Sequence, residues 1–150
     1  MTATTRHPHP EPHAEELVQI GVLADRVGLS LRTVRYYEEV GLVVPSTRTK
    51  GGFRLYGADQ ERRLLVIKQM KPLGFSLEEM RELLDTLAIA AEATPGTTAS
   101  ADIAGTLSTL LDRVHQRRAA LNNQLKAADR LARSLTDAST RLHRPARPTR

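Results

Sequence analysis

Five basic side chains crowd into one short stretch of this 150-residue chain. Arg32 and Arg35 stand three residues apart, and Arg48, Lys50 and Arg54 surround a Gly51-Gly52 pair. Arginine presents a fork of donors that grips a phosphate or reads the two acceptors on a guanine edge. A spacing of three puts Arg32 and Arg35 on one side of a helix, with Thr33 on the same N-terminal turn. Ser30 is a good N-cap for such a helix, and Gly41 supplies the left-handed residue that closes it. Gly51-Gly52 between the strand-type residues Phe53, Leu55 and Tyr56 reads as the turn of a hairpin, a basic wing decorated by Arg48, Lys50 and Arg54. The chemistry on offer is recognition of nucleic acid.

The elements that position these groups are also legible. Ile20 to Val27 places Ile20, Leu23, Ala24 and Val27 on one helical face. Gly28-Leu29-Ser30 then makes a three-residue turn into the helix from Leu31 to Val40. Helix, Gly-containing turn and helix together predict a helix-turn-helix, here followed by a wing.

Several motifs in order carry a specific resemblance: Ile20-Gly21, TVRYYEEVGL at 33–42, GGFRLY at 51–56 and LGFSLEEMRELL at 73–84. Over roughly residues 19–85 the chain resembles the DNA-binding domain of the MerR family of bacterial transcription regulators. A bare helix-turn-helix is a weak signal; separated motifs in the right order are a strong one.

Charge placement agrees with this. Residues 17–72 hold ten Lys and Arg against five Asp and Glu, whereas residues 73–100 hold one Arg against five acids. The chain has no cysteine, which excludes disulfides, iron–sulfur clusters, thiolate metal sites and thiol redox sensing within it. Aromatics make up 3% of residues, too few for single-strand stacking platforms. Apolar runs are too short to span a membrane, and a cytoplasmic location is the expectation.

The expected fold is mainly α: a winged helix-turn-helix domain of two helix pairs and a small β-hairpin, then a long antiparallel coiled-coil helix. Residues 1–16 read as a disordered tail, because Pro8, Pro10 and Pro12 break any helix and leave His7, His9 and His13 without the rigid support a metal site needs. Residues 17–88 form the DNA-binding domain, with a shared core of Val22, Leu23, Val27, Val34, Leu64, Ile67, Phe75 and Met80. Its third helix, after Gly57, offers Leu64, Leu65, Ile67 and Met70 to that core. Arg62, Arg63 and Lys71 lie on the other sides, as scaffold or as phosphate contacts. Ser76 and Glu79 form a capping box for the next helix.

Residues 89–101, with Pro95-Gly96 and a run of Thr and Ser, read as a hinge loop. Residues 102–142 carry a heptad seam of Leu107, Leu111, Val114, Leu121, Leu125, Ala128, Ala132 and Leu135. A helix of this length needs a partner along it, and homodimerisation is the expectation. Arg118 also falls on the seam, where it snorkels, pairs with an acid such as Asp112 of a second chain, or marks a local change of register. Residues 143–150 form a Pro-broken basic tail.

The resemblance implies more. Tyr36 and Tyr37 stand where the family uses an aromatic pair, one hydroxyl on phosphate and one ring partly in the core. Gly52 is expected to let the wing backbone approach the strand, with Arg54 in or beside the minor groove. Tyr56 is as much a core candidate as a contact, and Phe53 replaces the family's usual tyrosine. Double-stranded promoter DNA, a second copy and RNA polymerase are the implied partners, and a dimer would read a pseudo-palindromic site and bend and untwist it. Because cysteines are lacking and His115 and His143 stand apart, the effector is a small organic molecule near residues 91–101 or there is none, and no metal or cofactor is expected. Two other classes compete: an architectural DNA-bending protein and a coiled-coil interaction module. No nucleophile, metal constellation or phosphate loop points to an enzyme.

Overall fold

The computed structural model describes residues 16–143; the two expected tails lie almost wholly outside them. The chain divides into two compact units, residues 1–95 and 96–150. In chain order the first holds α1 (Ile20–Val27), α2 (Leu31–Glu39), β1 (Thr47–Arg48), β2 (Arg54–Leu55), α3 (Ala58–Met70), a 3-10 turn (Lys71–Leu73) and α4 (Leu77–Glu92). The second holds α5 (Thr98–Leu142).

Local chemistry sets the helix ends. Gly28, at φ 64°, closes α1, and Lys68 Nζ donates to the Val27 carbonyl at 2.9 Å. The Ser30 hydroxyl accepts from Thr33 N at 3.1 Å to cap α2. Arg81 donates to the Val40 carbonyl at 2.7 Å just beyond its C-terminus. These cations satisfy carbonyls that a helix end leaves unpaired. Glycine at 57 has no side chain to cap α3, but Gln60 Oε1 accepts from Gly57 N at 2.9 Å and from the Ser46 hydroxyl at 2.7 Å, tying the wing's base to α3. The Ser76–Glu79 box forms as expected, with Glu79 N donating to Ser76 Oγ and Ser76 N to Glu79 Oε2.

β1 and β2 pair antiparallel, with Thr47 opposite Leu55 and Arg48 opposite Arg54. The turn between them closes through Gly52 N to the Thr49 carbonyl at 2.9 Å, and Gly52 sits at φ 84°, which a side chain would strain. Paired hydrogen bonds between Val18 and Tyr56 then anchor the wing to the start of the domain.

The core of the first unit contains Leu23, Val27, Val34, Leu64, Ile67, Phe75 and Met80, as the sequence pattern predicts. Val22 is a correction: it is 46% exposed, and the adjacent Leu23 takes the inward position. Leu65 is exposed likewise, because Leu64, Ile67 and Met70 already complete one face of α3. Val18, Leu42, Val43 and Leu84 join the core without having been assigned to it, and Tyr37 and Tyr56 take the core side of the alternatives left open for them.

The hinge is shorter than residues 89–101. Helix α4 continues through Glu92 and α5 begins at Thr98, leaving residues 93–97 between them. Thr97 and Ser100 belong to a reciprocal cap, Ser100 N to Thr97 Oγ1 and Thr97 N to Ser100 Oγ, both 3.1 Å. What reads as loop composition is a helix start.

Helix α5 has 45 residues and is about 67 Å long at the usual helical rise. Leu110 is its buried residue, and Ser100, Ile103, Leu107, Arg113, Val114, Arg117 and Ala138 are half-buried. Within one chain the covered residues of its first half therefore include Leu110 and Arg117, whereas Leu111 and Arg118 stay exposed. Leu111, Leu121, Leu125, Leu131 and Leu135 are all exposed.

Candidate nucleic-acid interface

Helix α2 divides its residues by face. Val34 and Tyr37 are buried and fix the helix on the core, so Arg32, Arg35 and Tyr36 point outward, Tyr36 being 44% exposed. The Tyr36 and Tyr37 rings are tilted at 54° with centroids 5.4 Å apart. Thr33 is half-buried, and its hydroxyl lies 2.7 Å from Ser30 Oγ, so it serves the cap as well as the surface. In the wing, Arg48, Lys50, Gly52, Phe53 and Arg54 are all exposed, with Phe53 at 65% standing out near the turn. A cleft of about 300 Å³ separates helix from wing, lined by Gln19, Ile20, Arg35, Glu38, Glu39, Gly52, Phe53 and Arg54. Recognition-helix and wing cations thus flank a single concave surface.

Glu38 ties the two sides together. One carboxylate oxygen accepts from the Tyr56 hydroxyl at 2.6 Å and the other lies 2.6 Å from Arg54 Nε. The Glu38 side chain is 18% exposed, so its carboxylate is largely withdrawn from water while Arg54 stays half exposed. Burial first, and then the bond to Glu38, holds the Tyr56 hydroxyl well above its ordinary pKa.

The model of the MerR HTH family regulatory protein matches residues 18–87, and that of the MerR DNA-binding region matches residues 61–138, more than half of the chain. The chain belongs to the MerR family. A mercuric resistance operon regulatory protein of Bacillus cereus is 46% identical to this MerR-family chain over 66 residues, 44% of this chain and 50% of that protein. The chain spans about half the length of the curated relatives it matches. Among solved structures, the transcription regulator PbrR691 of Ralstonia metallidurans CH34, in complex with lead(II), is 30% identical with a TM-score of 0.54, covering 88% of this chain and 92% of that one. A MerR-family regulator lacking the sensor domain, HiNmlR, bound to promoter DNA, has a TM-score of 0.62 at 18% identity, covering 83% and 94%, and shares the fold.

Against this family frame, the structure gathers most of the expected interface of the MerR-family chain onto one side. Arg35, Gly52, Phe53 and Arg54 line the cleft, and Arg32, Tyr36, Arg48 and Lys50 are exposed on the same two elements. Two residues left open between contact and core lie in the core. Tyr56 is fully buried, its ring inside the domain and its hydroxyl committed to Glu38, and Tyr37 is 3% exposed. Tyr36 is therefore the member of the aromatic pair that faces outward.

Arg63 is turned inward too, donating from Nε to the Leu42 carbonyl at 3.0 Å and from Nη2 to Asp85 at 3.1 Å. Arg62 pairs with Asp59. Scaffold, rather than phosphate contact, describes Arg63 in this MerR-family chain. Glu38 is the residue that sequence reasoning missed: an acid within a basic surface reads as a solvated position until its two partners are seen. Its place three residues after Arg35 was the available signal.

Proposed function

We propose that this chain is a promoter-binding transcription regulator that acts as a homodimer, setting α2 in a major groove and the wing against the neighbouring backbone. The observation that carries this is the cleft between α2 and the wing, with Arg35 on one wall and Arg54 on the other. Arg32, Arg48 and Lys50 extend the positive surface beyond it. Cations on both walls of a concave surface suit a polyanion that fills it, and each phosphate they engage releases counterions.

The exposed leucines of α5 support the dimer. Leu111, Leu121, Leu125 and Leu135, with Ala128 and Ala132, lie at heptad spacing on a helix whose second half is exposed except at half-buried Ala138. Packing a second α5 antiparallel against that seam buries them and gives two readers related by a two-fold axis. Such a dimer reads a pseudo-palindrome. Bending and untwisting that site to set the spacing of promoter elements for RNA polymerase costs about 1–6 kcal/mol by elastic estimates, offset by the added contacts at the wings.

Lead(II) belongs to the solved relative; this chain has no cysteine and offers no thiolate to such an ion. An organic effector acting through the residues around 93–97, or none, is the reading for this sequence. The test is duplex selection: the purified chain is incubated with random-sequence DNA, and enriched duplexes are sequenced. Two inverted half-sites are expected, lost with Arg35→Ala. Enrichment unaffected by that substitution would place recognition elsewhere.

A further inference from the structure

The wing is a poor structure by itself. Two strands of two residues each leave a hairpin that needs packing or tethering to hold one orientation. Its base is anchored through Val18, Tyr56 and Gln60, yet Arg54, the wing residue facing the cleft, is half exposed at 50%. Glu38 reaches it from the recognition helix, with Oε1 2.6 Å from Arg54 Nε. A guanidinium carries five donors and this one is half exposed, so it keeps donors for phosphate while the carboxylate orients it. Meanwhile the Tyr56 hydroxyl fixes the carboxylate from the core side.

We propose that Glu38 is the positioning residue of the interface: its charge sets Arg54 at a fixed distance from Arg35, so that both engage one DNA site together. This rests on the DNA-binding reading above. A bare carboxylate beside phosphate repels it, so an acid here lowers affinity unless it organises a cation worth more. Pre-orienting Arg54 removes the cost of ordering a long side chain on binding, and it does so for one groove geometry and not for others. The consequence falls on discrimination between sites rather than on total attraction.

Glu38→Gln separates the two contacts. The amide oxygen still accepts from Tyr56, but the charge that holds Arg54 is gone. In the full-length chain, dissociation constants are measured for the duplex selected by the wild type and for a scrambled duplex, with a thermal melt of each variant. Glu38→Gln is expected to weaken binding to the selected duplex about tenfold while binding the scrambled duplex as well as before or slightly better. Combined with Arg54→Ala, it should add nothing to the loss from Arg54→Ala alone.

Tyr56→Phe provides the contrast: it removes one anchor of the carboxylate but keeps its charge beside Arg54, so it should lower the melting temperature and lose less of the ratio of the two affinities than Glu38→Gln does. Arg54→Lys, exposed and not dependent on the core, keeps a cation for phosphate but lacks Nε, and should lose the ratio as Glu38→Gln does. The proposal is overturned if Glu38→Gln or Arg54→Lys keeps the wild-type ratio, or if Glu38→Gln tightens both duplexes equally. Losses that multiply in the double variant, or a Tyr56→Phe variant that loses the ratio equally, also overturn it. A wild type that enriches no duplex at all contradicts the DNA-binding reading itself.

Discussion

Tyr56 and Glu38 are eighteen residues apart in sequence, and a 2.6 Å hydrogen bond joins them. It links the strand that ends the wing to the helix that carries Arg35, with the tyrosine ring fully buried beneath. Wing and recognition helix are therefore one mechanical unit. Removing the hydroxyl as Tyr56→Phe should cost about 1.5–3 kcal/mol, the range for a hydrogen bond to a charged group. Urea unfolding checks it: the midpoint should fall with the slope unchanged.

The same hydroxyl makes stability sensitive to alkali. Burial, then the bond to Glu38, raises its pKa in the folded chain above the ordinary 10.0. The folded state thus favours the protonated tyrosine. Its contribution is complete below about pH 10 and is lost as pH rises toward the higher folded value. Wild type should lose stability above pH 10 more steeply than Tyr56→Phe, as unfolding midpoints on a pH series will show; parallel curves would contradict it.

For DNA affinity, Arg35→Ala and Lys50→Ala should differ in kind. Loss of a phosphate contact lowers the slope of log K against log salt by about one per protomer and weakens all sequences alike, whereas loss of a base contact costs about 1–3 kcal/mol at one position of the site. Arg35, inside the cleft, should show the second behaviour and Lys50, on the wing's turn, the first. Titrations on selected and scrambled duplexes over a salt series separate them.

On α5, Leu121→Asp with Leu125→Asp places two charges on the exposed apolar stripe. The variant should sediment with the mass of one chain and bind a two-half-site duplex at least about 100-fold more weakly, since the gain from linked half-sites disappears. A variant that stays dimeric moves the interface to another face.

What could be read from sequence was whatever depends on near neighbours. Ser76 with Glu79, Ser30 with Thr33, Gly28 and Gly41 each act within one turn, so residue type and spacing suffice. The exchange between Thr97 and Ser100 is equally local, but Pro95-Gly96 beside it pulled the reading toward a loop. Burial of Tyr56 was harder, because a Tyr at the end of a wing reads equally as a contact until the pairing with Val18 shows which way the strand faces. The inward turn of Arg63 and the double role of Glu38 depend on groups 21 and 18 residues away. Periodicity carries no trace of such partners. Along α5 the heptad spacing that runs through Leu111 describes a face for a second copy and carries no sign that Leu110 is buried within one chain.

The most direct test of the account is DNase footprinting of the purified chain on DNA upstream of its own gene, with Arg35→Ala alongside. A short symmetric protected site between promoter elements, cut more readily at its centre and absent with Arg35→Ala, is the predicted result. Diffuse protection without a symmetric site, or a footprint that Arg35→Ala leaves unchanged, would contradict a dimer that reads DNA through α2 and its wing.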